Sequence, residues 1–188
     1  MDTDKMLELI SVQRHDFLNH LQVISGLLQL KKEERAREYI VEVGQDIKRL
    51  SKISHLKDPE AAAAFLVSHN QAANAQIIVN YDVQADLAEC GVPGTVTGAV
   101  FVRLLEYVLN RLAPPELAER ELNIGLKAVE GGYLCVICFA GPVAVNELTW
   151  NELAQALSTK LTPYGGKLER TANGAKQDIK LFLPAADA

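Results

Sequence analysis

The sequence has only three cysteines, and an odd number argues against a disulfide framework and fits a reducing cytoplasm. It has no apolar run near the roughly 18 residues that a membrane helix needs. The longest candidate, Ala61–Val67, has seven. The first residues, Met1–Lys5, show neither the basic cluster nor the apolar stretch of a secretory signal. The net charge is −5 without a basic stripe, so we expect a cytoplasmic globular protein with no membrane and no nucleic-acid partner.

Residues 1–57 contain no proline and only two glycines, and their apolar residues recur at helical spacing. A polar break, Lys31–Glu34, predicts an antiparallel hairpin of two helices, each about five to seven turns long. One hairpin hides only part of its apolar stripes, so we expect a homodimer that pairs two hairpins in a four-helix bundle. The stripe positions are Phe17, Leu21, Ile24 and Leu28 in the first helix, and Ala36, Ile40, Val43, Ile47 and Leu50 in the second.

Residues 58–188 alternate between helical and strand-like segments. Asp58-Pro59 predicts the end of the second helix, because the residue before proline disfavours the α region. Gly131-Gly132 and Asn173-Gly174 predict two β-hairpins. The chain is therefore predicted to be α+β, with a helical domain over 1–57 and an α/β sandwich over 58–188. The predicted helices are 61–73, 96–112 and 146–157, and the predicted strands are 76–83, 121–129, 133–140, 167–172 and 176–183.

The most informative part of the first helix surrounds His15. At about 100° per residue, the apolar stripe centres about 210° away from His15, so this side chain is predicted to face solvent. Asn19, Gln22 and Gly26 lie on the same side and form a polar strip on which another protein can rest. An exposed histidine is more often plain solvated surface. The neighbouring Asp16 and Asn19 favour a functional role, because helix propensity alone does not explain them.

An exposed histidine suits the transfer of a phosphoryl group between proteins. An imidazole with the reference pKa of about 6.5 is largely neutral in the cytoplasm, so its lone pair is available. Phosphoryl transfer proceeds in line through a loose transition state, and positioning therefore matters more than activation of the nucleophile. Asp16 is a candidate to hold one ring nitrogen of His15 as N–H, and Arg14 is a candidate to neutralise phosphate charge.

The pattern R-H-D-x-x-N-x-L-Q-x-I-x-G runs from Arg14 to Gly26. It resembles the phospho-acceptor helix of the sporulation initiation phosphotransferase B family, the sporulation-type histidine phosphotransferases, which are related to histidine kinases. Citrate and dicarboxylate sensor kinases share this helix pattern. Residues 50–59, followed by Phe65-Leu66, also resemble that family's exit from the second helix. The length and the order of the two parts agree, so the resemblance covers nearly the whole chain.

The resemblance implies a role in sporulation initiation. His15 would accept a phosphoryl group from the aspartyl phosphate of a single-domain response regulator. It would then pass the group to the receiver domain of a response-regulator transcription factor. The resemblance implies no cofactor and no metal on this chain, with Mg²⁺ held by the partner receiver domain. Arg14 and Asp16 would assist catalysis, and the partner would contact Leu18, Asn19, Gln22 and Gly26.

The C-terminal part resembles the ATP-binding domain of histidine kinases but lacks most of its nucleotide-binding features. Glu106 and Asn110 resemble the N box that holds Mg²⁺, yet such a pair is more often a helix-surface feature. Phe139–Val143 matches an adenine-binding Asp-x-Gly-x-Gly box but has no carboxylate. No glycine lies between Val145 and Gly165, so a phosphate-binding lid has no counterpart. These departures favour a phosphotransferase, with an ATP-dependent histidine kinase or a non-enzymatic dimer that binds a response regulator as alternatives.

Other residue patterns indicate structural roles. Cys135 and Cys138 form a C-x-x-C pair, but positions i and i+3 of a strand face opposite sides, so we interpret them as buried structural thiols. His15 and His20 lie about 140° apart on the helix and cannot share a metal. Trp150, the single tryptophan, is predicted to pack in the core or at its edge.

Overall fold

The structure is a computed structural model that describes residues 3–114, 117, 120–140 and 147–186. In the first two helices, the side chains of residues 3–13, 15, 16, 46 and 49 lie outside the described part. The chain divides into two compact units, Met1–Ser51 and Lys52–Ala188.

Two helices build the first unit, α1 (Thr3–Gln29) and α2 (Glu33–Ser54), and the last residues of α2 belong to the second unit. Their 27 and 22 residues correspond to about 7.5 and 6 turns, close to the predicted lengths. Lys31 adopts a φ of 55° in the turn between them. Glu33 and Glu34 were expected in the polar break but form the first turn of α2, where carboxylates interact favourably with the helix dipole.

The described part of the second unit contains three α-helices, a short 3₁₀ helix (Thr162–Tyr164) and a five-stranded mixed sheet with the order β1-β2-β3-β5-β4. β1 and β2 are parallel, and the other neighbours are antiparallel. The α+β class and both β-hairpins are confirmed. Gly131 and Gly174 adopt left-handed φ values of 76° and 61° in the hairpin turns. The elements are α3 (Pro59–Asn74), β1 (Ile78–Val83), α4 (Gly94–Leu112), β2 (Glu121–Val129), β3 (Gly132–Ala140), α5 (Glu147–Leu161), β4 (Lys167–Asn173) and β5 (Lys176–Pro184).

The core of the second unit lies between these helices and one face of the sheet. Buried residues alternate along β3 and β5, which indicates that one face is covered and the other is open. The ring of Phe65 in α3 packs 4.7 Å from that of Phe101 in α4 and 6.3 Å from that of Tyr81 in β1. These aromatic contacts join two helices to the sheet.

The dipeptide Asp58-Pro59 starts α3 and does not end α2. The Asp58 carboxylate accepts backbone N–H bonds from Glu60 and Ala61 at 3.1 and 3.0 Å, as an N-cap does. It also accepts a hydrogen bond from the Thr97 hydroxyl of α4. Since α2 already ends at Ser54, the predicted helix stop is four residues late.

The C-x-x-C pair spans the two faces of the sheet, as the strand period predicts. Cys135 is fully buried, and burial raises its pKa to about 12. Cys138 lies half-buried on the open face, so its interpretation as a buried thiol is wrong. The pKa of Cys138 is raised to about 11, mainly by partial burial and secondly by a hydrogen bond to Asp178. Trp150 is 7% exposed and packs at the core as predicted.

Candidate phospho-acceptor site

The predicted phospho-acceptor, His15, lies near the middle of α1, which continues to Gln29. Its backbone is therefore held in regular helix, and a helix backbone is a rigid support for a reacting side chain. Arg14 is exposed directly before it. The side chains of His15 and Asp16 lie outside the described residues, so their predicted roles stay predictions.

The predicted partner-binding strip is open to solvent. Leu18, Asn19 and Gln22 are exposed, and Gly26 is half-exposed. A Cβ atom added to Gly26 would meet nothing within 4 Å beyond its own helical turns. A glycine inside a helix costs about 1 kcal/mol relative to alanine. Packing within the described chain does not explain why that cost is tolerated here, and an external partner would.

A second histidine near the strip is engaged between the two helices. The Nδ1 atom of His20 lies 2.8 Å from the Tyr39 hydroxyl of α2, and the ring centroids are 5.8 Å apart. Both side chains are half-buried. Sequence reasoning missed this pair because neither residue belongs to the apolar stripe. The predicted register of the hairpin could have identified this pair, since a turn at about residue 30 places residue 20 opposite residue 39 or 40.

The apolar stripe of the hairpin divides into an inner part and an outer part. Ala36 is buried, and Ile24, Val43 and Leu50 are half-buried. The outer members each stay 46% to 56% exposed, namely Phe17, Leu21, Leu28, Ile40 and Ile47. Viewed along each helix from its N-terminus, the outer members are rotated away from the inner ones in the same direction. Because the two helices are antiparallel, this rotation places the outer members of both helices on one side of the hairpin. Large apolar side chains exposed together in this way mark an interaction surface.

The kinase-like polar pair of the second unit lies on the surface of α4. Glu106 forms an ion pair with Arg103, three residues earlier, at 3.5 Å, and Asn110 is exposed. Residues 141–143 of the stretch that matches the adenine box lie outside the described residues. Within the described ranges, no three His, Cys, Asp or Glu residues are grouped closely enough to hold a metal ion. None of the described helices is long and apolar enough to cross a membrane.

An arginine cluster that sequence reasoning missed joins β4 to α5. It consists of Arg170, Glu147, Trp150 and Tyr107. Arg170 donates to both carboxylate oxygens of Glu147 at 2.7 Å. Its guanidinium carbon lies 4.8 Å from the centre of the Trp150 ring, which packs 5.5 Å from Tyr107 of α4. Both bonds come from the same guanidinium nitrogen, and charge-assisted bonds of this kind beside a stacked aromatic ring make a specific contact. The cluster therefore fixes the first turn of α5 to the sheet. No local sequence signal predicts it, because Glu147 and Arg170 are 23 residues apart.

Comparison with known proteins supports the sequence-based resemblance in the first helices. Residues 1–56 match the family model described as the sensor kinase SpoOB-type alpha-helical domain. Sporulation initiation phosphotransferase B of Bacillus subtilis (strain 168) is 44% identical over 64 residues, which are 34% of this chain and 33% of that protein. The matched segment thus spans one third of the relative's length. The predicted resemblance is confirmed over this segment.

Solved structures of histidine kinases are similar to this chain in fold. Acinetobacter baumannii histidine kinase AdeS matches with a TM-score of 0.54 and 13% identity, over 92% of this chain and 98% of that one. The catalytic domain of histidine kinase ThkA matches with a TM-score of 0.56 and 11% identity, over 69% of this chain and 94% of that one. At these identities the similarity shows a histidine-kinase-like fold alone.

Proposed function

We propose that this protein is a phosphorelay phosphotransferase that carries a phosphoryl group on His15, in a relay that initiates sporulation. The match of residues 1–56 to the SpoOB-type alpha-helical domain carries this proposal. The donor is the aspartyl phosphate of a single-domain response regulator, and the acceptor is the receiver domain of a response-regulator transcription factor.

The proposed chemistry consists of two in-line displacements. A ring nitrogen of His15 attacks the phosphorus of the donor's aspartyl phosphate, so that an N–P bond forms while the O–P bond breaks and a carboxylate leaves. The aspartate of the second receiver then attacks the phosphohistidine and releases the imidazole. Mg²⁺ is held by the receiver domains, where it neutralises charge on the transferring group. Arg14 contributes a positive charge beside the phosphoryl group, and Asp16 orients the imidazole ring.

The His20–Tyr39 contact supports His15 as the acceptor over the histidine five residues later. A phosphoryl acceptor needs an accessible ring nitrogen with a free lone pair. One ring nitrogen of His20 is occupied by the Tyr39 hydroxyl at 2.8 Å, and the ring is half-buried between the helices. The half-buried ring of His20 is therefore less accessible to a docking receiver than the side of α1 on which His15 is predicted to lie.

We further propose that two copies pair through the outer apolar members, defined above as Phe17, Leu21, Leu28, Ile40 and Ile47, to form a four-helix bundle. These residues lie on both helices of one hairpin, so two hairpins can bury them against each other as an isologous interface. The strip formed by Leu18, Asn19, Gln22 and Gly26 lies elsewhere on α1. Pairing would therefore leave it open for the receiver domain.

An ATP-dependent histidine kinase is the second candidate, because the ThkA match covers 94% of a kinase catalytic domain. The absence of any glycine between Val145 and Gly165, where a phosphate-binding lid would lie, argues against it. Calorimetry with Mg-ATP separates the two candidates. Micromolar affinity would favour the kinase, and we expect no heat of binding at millimolar nucleotide.

The test of the phosphotransferase is incubation of the purified protein with a phosphorylated receiver domain. We expect acid-labile, base-stable phosphate on the wild-type chain, as phosphohistidine requires. His15→Gln should lower the uptake at least 1000-fold by removing the attacking nitrogen. The matched control is His55→Gln, which changes an exposed histidine beyond α2 and should leave the uptake unchanged. Binding without phosphate uptake by the wild type would instead identify a non-enzymatic response-regulator-binding dimer.

A further inference from the structure

We propose that Tyr39 is a positioning residue for phosphoryl transfer, which acts through His20 to fix the rotation of α1 and hence the direction of His15. This inference rests on the proposed function. It adds a residue of the other helix to the machinery of the acceptor site.

The contact between the two side chains is directional. The Tyr39 hydroxyl and the Nδ1 atom of His20 are 2.8 Å apart, within the range of a good hydrogen bond. The two rings are tilted by 53° with centroids 5.8 Å apart, so the contact combines a polar bond with ring packing. A hydrogen bond of this kind prefers an angle above about 150° and weakens steeply below about 120°, and it therefore resists rotation of either helix.

Among the described residues, the apolar side chains that pack between the two helices provide less control of rotation. Ile24 lies about 40° from His20 on α1, and Val43 lies about 40° from Tyr39 on α2. Both are half-buried, and Ala36 is buried. Apolar burial is non-directional, so these residues oppose separation of the helices more than their sliding or turning.

The contact between His20 and Tyr39 lies close enough to His15 to affect its position. His15 precedes His20 by five residues of the same helix, about 7.5 Å along its axis at 1.5 Å per residue. A turn of about 10° displaces any side-chain atom some 6 to 7 Å from a helix axis by roughly 1 Å. A misplacement of about 1 Å at a reacting group can cost about 100-fold in rate. Loss of the Tyr39 contact should therefore affect the chemical step more than docking.

The first test is Tyr39→Phe, which removes the hydroxyl and keeps the ring. At saturating phosphorylated receiver domain, we expect the transfer rate constant to fall about tenfold or more. The apparent KM should stay within about twofold, because the strip of Leu18, Asn19, Gln22 and Gly26 is unchanged. His20→Ala should give a similar loss. The double variant should be no slower than either single variant, since both remove one interaction.

Val43→Ala is the matched control, because it removes half-buried apolar contact from the same side of α2 without touching the polar pair. It should lower the melting temperature about as much as Tyr39→Phe does and leave the transfer rate near that of the wild type. Equal slowing in Val43→Ala, or an unchanged rate in Tyr39→Phe, would overturn the positioning role while leaving the phosphotransferase intact. A wild-type chain that takes up no phosphoryl group would overturn both.

Discussion

The two units of this protein treat their apolar residues in opposite ways. In the second unit, Phe101, Leu104 and Leu105 of α4 are fully buried, and the arginine cluster ties α5 to the sheet. In the first unit, five large apolar side chains on one side of the hairpin remain about half exposed. A unit that buries its own core needs no partner, whereas a hairpin that leaves its stripe open does. The comparison favours the proposed pairing of two copies through the hairpin.

The two units also differ in how much specific sequence similarity to known proteins they show. The pattern from Arg14 to Gly26 lies in the hairpin, and the family match covers residues 1–56. The second unit has the fold of a kinase catalytic domain at identities of 11% to 14%. A fold can persist while its nucleotide-binding residues change, because packing constrains the core and chemistry constrains only the site. Under the proposed function, the phosphoryl-transfer site therefore lies in the hairpin.

Of the substitutions that test the difference between the two units, the largest effect is expected on association. Ile47→Asp places a charge in the exposed apolar face of α2. It should raise the dimer dissociation constant at least about 100-fold, since burying an unpaired charge costs roughly 3 kcal/mol or more. Helix content by circular dichroism should not change, because Ile47 is 55% exposed within the protomer. Sedimentation over a concentration series measures the shift.

Val41→Asp is the matched control for that substitution. Val41 is 60% exposed on the same helix but lies about 120° from Ile47, away from the outer apolar members. It should leave the dissociation constant unchanged. Equal weakening by both substitutions would mean that charge repulsion or lost helix stability explains the effect, and that the four-helix bundle is the wrong architecture.

The sequence predicts the helical hairpin, the succession of helices and strands along the chain, and both glycine turns, because these depend on local signals. Spacing of three and four residues reports a helix face, and Asn173-Gly174 reports a tight turn. It does not predict that Ala36 is buried while Ile40 is half exposed, because the stripe is one continuous pattern on the helical wheel. Only the packing of α1 against α2 divides it.

Long-range side-chain contacts could not be predicted from the sequence for a related reason. The partners Tyr107 and Arg170 are 63 residues apart, and Thr97 is 39 residues from Asp58. Such pairs form because strands and helices distant in the chain become neighbours in the sandwich. The exposure of Cys138 is a similar case, since strand alternation shows that it opposes Cys135 but not that its face of the sheet is open.

An intermediate effect is expected on the stability of the second unit. Asp58→Ala removes an acceptor for two backbone N–H groups and for the Thr97 hydroxyl. Loss of an N-cap together with a buried hydrogen bond should lower the free energy of unfolding by about 2 to 3 kcal/mol. Denaturant unfolding measures this, and the phosphoryl transfer rate at a temperature where the variant is folded should not change.

The control is Asp86→Ala, which removes an exposed carboxylate that accepts one bond, from the Ala88 N–H at 3.0 Å. It should cost less than about 1 kcal/mol. If Asp58→Ala also slowed transfer in the folded state, the sandwich would contribute directly to the reaction. The division of labour between the two units would then be wrong.

The smallest expected effect tests the docking strip on α1. Gly26→Leu adds a large side chain where a Cβ atom meets nothing within 4 Å beyond its own turns. The change should raise helix stability, because leucine has a better helix propensity than glycine by somewhat less than about 1 kcal/mol. A receiver domain that rests on this strip should meet the added side chain, so we expect transfer to slow about tenfold through a higher apparent KM.

Gly26→Ala is the control, since it gains helix propensity with only one methyl group and should transfer faster than the leucine variant. Unchanged transfer in Gly26→Leu would place the partner elsewhere on the hairpin. A lower melting temperature would instead show that a second copy packs closely against Gly26, so that the strip belongs to the dimer interface and not to the receiver domain.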